Sequence, residues 1–107
     1  MSENIEITTS SGNIFADLGL PNSDEMLVKA ELARKISYAI TSRGLTQLEA
    51  AELLGIEQPK ISALIRGRLT GFSLERMFKF LNGFDSDIEI TVKPKSSHNA
   101  RIIVKEF

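Results

Sequence analysis

Between positions 47 and 68 the chain carries a set of side chains suited to gripping and reading a nucleic acid. Gln58 offers the paired donor and acceptor that match the edge of adenine, and Lys60 can reach guanine or a phosphate. Ser62 can serve either purpose, Ala63 can touch a thymine methyl, and Pro59 stands among them. Arg66 and Arg68 follow as phosphate ligands, and Gln47 can meet the sugar-phosphate backbone beside the amides of a helix start. Other chemistries find little material. The chain has no cysteine and a single histidine, His98, in a polar stretch with no nucleophile beside it. No glycine-rich phosphate loop and no ligand cluster with metal spacing occurs, so neither catalysis, nor a cofactor, nor a metal is expected.

Those side chains need elements to hold them, and the flanking residues define two short helices and a turn. Thr46 and Glu49 form the T-x-x-E pattern of a capping box, opening a helix that runs to Leu54. Ala50 and Ala51 are small enough to let a second helix approach closely, and Gly55 suits the turn between them. The second helix spans 57–66, with Pro59 tolerated in its first turn and Ile61, Leu64 and Ile65 facing inward. Two helices in this order form a helix-turn-helix, in which the second enters the major groove.

The surrounding sequence supplies a frame. Apolar residues at helical spacing (Met26, Ala30, Ala33, Ile36 and Ile40, widened by Leu27, Leu32 and Ala39) predict a first helix over 23–43, stopped by Gly44. Ser73 caps a fourth helix with Leu74, Met77, Phe78 and Leu81 at i, i+3, i+4 and i+7, and Phe72, Phe78, Phe80 and Phe84 are expected in the core or a dimer interface. From Asp87 the pattern becomes alternating: Ile88, Ile90 and Val92 interleave with Glu89, Thr91 and Lys93, and 101–107 can return as a second strand. An isolated strand pair is marginal in water, so this one needs a partner surface. The expected fold is mostly α, a four- to five-helix bundle with a helix-turn-helix and a short C-terminal β-strand pair. Its parts are an acidic and apolar segment over 1–22, a helix-turn-helix domain over 23–84, and a β extension over 85–107 that serves dimerisation.

Length and charge narrow the partners. With 107 residues, 42% of them hydrophobic, the chain suits one modest domain. No apolar run approaches the roughly 18 residues of a membrane span, and the N-terminus lacks signal-peptide character, so a cytoplasmic location without membrane contact is expected. The net charge is −1, but it is unevenly spread. Residues 57–80 hold Lys60, Arg66, Arg68, Arg76 and Lys79 against Glu57 and Glu75, whereas residues 1–31 hold six acids against Lys29. Charges more than about 8 Å apart are screened at physiological salt, so a local basic patch can bind phosphate on a nearly neutral chain.

The run Leu45-Thr46-Gln47, Ala50-Ala51, Gly55-Ile56, Gln58, Ile61-Ser62 and Gly67 resembles the XRE (Cro and phage-repressor-like) helix-turn-helix family. The resemblance covers about residues 26–82 and implies a lambda-repressor-like fold, a third helix that recognises DNA, and dimers on palindromic operators. Two positions depart from the family's pattern: Glu57 stands where Ser or Thr usually caps the recognition helix, and Pro59 where a base-reading side chain is common. The flanking stretches FADLGLPNSDE, RGRLTGFSLERMFKFLNGF and DIEITVKP are similar to small XRE-type antitoxins of the HigA class. That similarity implies a transcriptional repressor that regulates its own operon and neutralises a RelE/HigB-like ribonuclease toxin.

The acidic N-terminal part fits such a basic partner. Phe15 and Leu18 are the expected apolar anchors of that contact, and Asp17, Asp24 and Glu25 its steering charges. The competing reading makes Phe15 and Leu18 part of the protein's own core. Two other functions remain open at this level: a stand-alone regulator with no toxin, and a protein-interaction module that uses the fold without reading DNA.

Overall fold

Two of the helix starts and all of the helix stops can be traced to particular residues. In the computed structural model, which describes residues 23–94 and 102–105, four helices are formed: α1 (Ser23–Ser42), α2 (Gln47–Leu54), α3 (Gln58–Ile65) and α4 (Leu74–Gly83). The Thr46 hydroxyl accepts from the Glu49 amide at 3.1 Å, and the Thr46 amide donates to the Glu49 carboxylate at 2.8 Å, completing the capping box. Ser73 caps α4 by accepting from the Arg76 amide at 3.1 Å.

All four helices close with the same backbone device, a left-handed residue whose amide and its neighbour's amide turn back onto the last carbonyls. Gly44, Gly55 and Gly67 occupy this position in the first three, with φ of 66°, 69° and 77°. At Gly55 the requirement is purely conformational, because an added Cβ would meet no heavy atom within 4 Å. In α4 the position falls to Asp85, with φ of 63°. The Ser86 amide donates to Leu81 and the Asp85 amide to Asn82, both at 3.0 Å.

The described residues fall into two units, Leu32–Glu89, and 23–31 with 90–94 and 102–105. In the first unit, α2 packs against α3 and α4. Ala50 and Ala51 are fully buried, as a close helix crossing requires, and Ile61, Leu64 and Met77 are sealed from solvent. Phe72 and Phe80 meet edge to face with centroids 6.1 Å apart. A Cβ on Gly83 would come within 3.2 Å of Leu54 Cδ2, so the end of α4 lies tightly on the end of α2. The Arg43 guanidinium stacks over Phe84 at 5.3 Å, donates to the Phe84 carbonyl at 3.0 Å and pairs with Asp85 at 2.9 Å. This clamp ties the residue that follows α1 to the end of α4. In the second unit Leu27 and Val28 are buried and Lys29 pairs with Glu25 at 3.0 Å.

Three expectations are corrected. No strand is formed among the described residues, so neither Asp87–Lys93 nor 102–105 contributes to the expected β pair; the helices formed there number four, the lower end of the expected four to five. The apolar alternation is real, but its side chains find no cover: Ile90 is 75% and Val92 92% exposed, and an uncovered two-stranded ribbon gains too little burial to persist. On α4 Met77 and Leu81 are buried as expected, as are Phe80 and the Phe84 that follows the helix, but Leu74 and Phe78 are only half-buried. On α3, Ile65 is 41% exposed. It is the last helical residue and lies about 100° beyond Leu64, at the rim of the buried stripe.

Candidate nucleic-acid interface

The inward face of α3 is spent on Ile61 and Leu64, which decides what faces out. Gln58, Pro59 and Lys60 are exposed on its first turn, and Ser62 and Ala63 are half-buried on the flank beside them. Pro59 occupies the first turn, where its missing amide hydrogen costs no helical bond. Glu57 is the N-cap, extended at φ −77° and ψ 148°, but its side chain makes no capping bond. The departure from a Ser or Thr cap therefore leaves α3 without side-chain capping and sets a carboxylate beside its exposed first turn.

At the other end of α3, the Arg66 amide donates to Ser62 at 3.1 Å and the Arg68 amide to Ala63 at 2.9 Å. The turn through Gly67 thus folds both arginines back against the helix end, and both are exposed. Cations here complement the negative end of the helix dipole while keeping their heads available to phosphate. Gln47 is exposed on the first turn of α2, where its own amide and that of Leu48 have no intrahelical acceptor. All eight sequence-proposed positions, Gln47, Gln58, Pro59, Lys60, Ser62, Ala63, Arg66 and Arg68, thus lie on the helix-turn-helix and its immediate flank, six of them exposed and two half-buried.

An open groove runs along this unit, lined by Leu48 and Glu52 of α2, the turn Gly55–Glu57, Gln58 and Lys60 of α3, and Arg76 of α4. Arg76 is the residue that sequence reasoning left out of the site, although it counted in the basic stretch. Its guanidinium lies over the Phe80 ring at 5.7 Å, and it adds a second cation to the groove that Lys60 lines. Glu52 and Glu57 line the same groove, so its charge is mixed rather than uniformly positive.

Glu49 is held below the ordinary glutamate range, first by the Thr46 amide that donates to it and then by the Thr46 side chain. The capping box is therefore strongest with this carboxyl ionised.

Two comparisons bear on this geometry. A family described as "Helix-turn-helix domain" matches residues 14–93. A solved structure named "Putative XRE Family Transcriptional Regulator" is 44% identical, covers 78% of this chain and 97% of its own length, and superposes with a TM-score of 0.73. The chain belongs to the XRE family of helix-turn-helix proteins. In this XRE-family chain α2, the Gly55 turn and α3 are the helix-turn-helix itself, and α4 packs against its first helix. None of the curated proteins compared with the chain matches it.

The sequence-proposed partner residues fare differently. Phe15, Asp17 and Leu18 lie outside the described residues. Asp24 and Glu25 stand in the first turn of α1, where they favour the positive end of the helix dipole, and Glu25 is engaged by Lys29 one turn along. No described helix is long and apolar enough to cross a membrane, and no group of three metal-binding side chains occurs among the described residues.

Proposed function

We propose that this XRE-family protein is a sequence-specific DNA-binding transcriptional repressor. The observation that carries the reading is the outward face of α3, where Gln58, Pro59, Lys60, Ser62 and Ala63 precede two exposed arginines folded back onto the helix end. Gln58 is the base-reading side chain, and Lys60, Arg66 and Arg68 hold phosphates on either side of it. Gln47 and the amides at the start of α2 hold a neighbouring phosphate. Two copies related by a two-fold axis read half-sites about 34 Å apart, with the 85–107 extension as the dimerisation element.

The finer reading is that of an antitoxin. The resemblance of the flanks to HigA-class proteins supports it, together with the acidic 1–31 region, which complements a basic RelE/HigB-like ribonuclease. On this reading the protein represses its own operon in the cytoplasm, neutralises the toxin through the N-terminal region, and needs no cofactor and no catalytic residue. A gel shift on the DNA upstream of its own gene, with excess nonspecific competitor, tests the repressor reading: retention of the labelled fragment is expected, and equal competition by unrelated DNA overturns it. Co-expression with a RelE/HigB-like ribonuclease tests the antitoxin reading, for which rescued growth is the expected result.

A further inference from the structure

The stretch between Asp85 and Pro94 is bounded by two backbone interruptions. Asp85 is left-handed, and Pro94 has no amide hydrogen to give to a ladder. Between them Ile88, Ile90 and Val92 alternate with Asp87, Glu89, Thr91 and Lys93; Ile90 and Val92 are open to solvent and Ile88 is half-buried. A row of exposed β-branched residues at period two is a template for another strand.

The order of residues in this stretch says which strand it fits. Laid antiparallel against itself about a two-fold axis at Ile90, the segment places Ile90 opposite Ile90, Ile88 opposite Val92 in both halves, and Asp87 opposite Lys93 in both halves. Every apolar residue meets an apolar one on one face, and an opposite-charge pair closes each end of the other. Glu89 faces Thr91, so no like charges confront each other. Shifting the axis to Thr91 brings Pro94 into the ladder opposite Ile88, whereas the Ile90-centred register keeps both interruptions outside the seven paired residues 87–93.

We infer that a second copy of this chain is the occupant of this strand. The segment Asp87–Lys93 pairs antiparallel with its counterpart, centred on Ile90, and the two strands become ordered only in the dimer. The inference rests on the dimeric operator-binding reading above and supplies its interface and register. Strands that form only on association account for a segment with strand patterning and no strand in the single chain.

Charge exchange in the full-length protein tests the register without loss of apolar surface. Asp87→Lys sets two lysine pairs face to face, and Lys93→Asp sets two aspartate pairs; each is expected to weaken the dimer about tenfold or more in sedimentation equilibrium, and the double exchange to restore it. In the Thr91-centred register Lys93 faces Glu89, and the double exchange fails to restore. Because the chain has no cysteine, Ile90→Cys adds a single thiol, expected to join two copies through a short bifunctional linker far faster than Glu89→Cys does. Failure of both the restoration and the selective cross-link, in a variant that still dimerises and still shifts operator DNA, overturns this inference and leaves the repressor reading intact. A wild-type chain that is monomeric at operator-binding concentrations overturns the dimer and this interface together, and the gel shift then reads DNA binding separately.

Discussion

At the scale of single residues, the chemistry of the proposed interface divides into reading and holding, and the two respond differently to substitution. Lys60→Ala, Arg66→Ala and Arg68→Ala each remove a phosphate ligand, so binding should weaken on specific and unrelated DNA alike, with the log–log salt slope falling by about one unit per lost contact. Arg76→Ala should act in the same way, because Arg76 reaches the groove that Lys60 lines. Gln58→Ala should instead cost roughly 1–3 kcal/mol on the operator and relax the preference at one base pair, read by competition with operator variants. Glu57→Ser supplies the missing cap of α3 and removes a carboxylate near the phosphates. A gain of about 1 kcal/mol in folding stability and tighter binding at low salt are expected.

At the scale of elements, the helix ends carry the consequences. Gly55→Ala meets no neighbouring atom, so its cost is the left-handed backbone alone, about 1–2 kcal/mol in denaturant unfolding. At Asp85 the same conformation is held by a side chain that also pairs with Arg43. Asp85→Gly relieves the backbone and loses a largely exposed ion pair, so stability should hold or rise. Asp85→Ala keeps the strain and loses the pair, so its melting temperature should be the lowest of the three. The capping box of α2 has a pH signature. The folded state lowers the pKa of Glu49, so its contribution is fully present above the ordinary glutamate range and is lost as pH falls through the lowered value. The wild-type advantage in melting temperature over Glu49→Gln should therefore be constant near neutrality and shrink in acid.

At the scale of the whole molecule, the proposed antitoxin reading gives the operator and the toxin different parts of the chain, and it predicts that the two functions can be disabled independently. Replacing Phe15 and Leu18 with Ser should abolish toxin neutralisation while thermal stability and the operator gel shift persist. A loss of folding would instead place these residues in the protein's own core, and full neutralisation by a stable variant would exclude them as anchors. Conversely, the α3 variants should still neutralise the toxin while failing to bind the operator.

The sequence by itself determined what depends on neighbouring residues. Capping boxes, left-handed stops and small-residue crossings act within a few positions, so Thr46, Glu49, Gly55, Ala50, Ala51 and Ser73 announced α2, its turn and the start of α4. The outward face of α3 was legible for the same reason, since Ile61 and Leu64 mark the opposite side of a helix only eight residues long. Tertiary structure decided what depends on how elements meet. It decided which of the expected aromatic residues are sealed, Phe80 against Phe72 and Phe84 beneath Arg43, while Phe78 stays half-buried. It placed Arg76 on the same groove as Lys60, a neighbourhood that no spacing along the chain encodes. It also left Asp87–Lys93 without strand structure, because alternation specifies which side chains share a face, whereas a strand needs another backbone to complete its hydrogen bonds and cover that face.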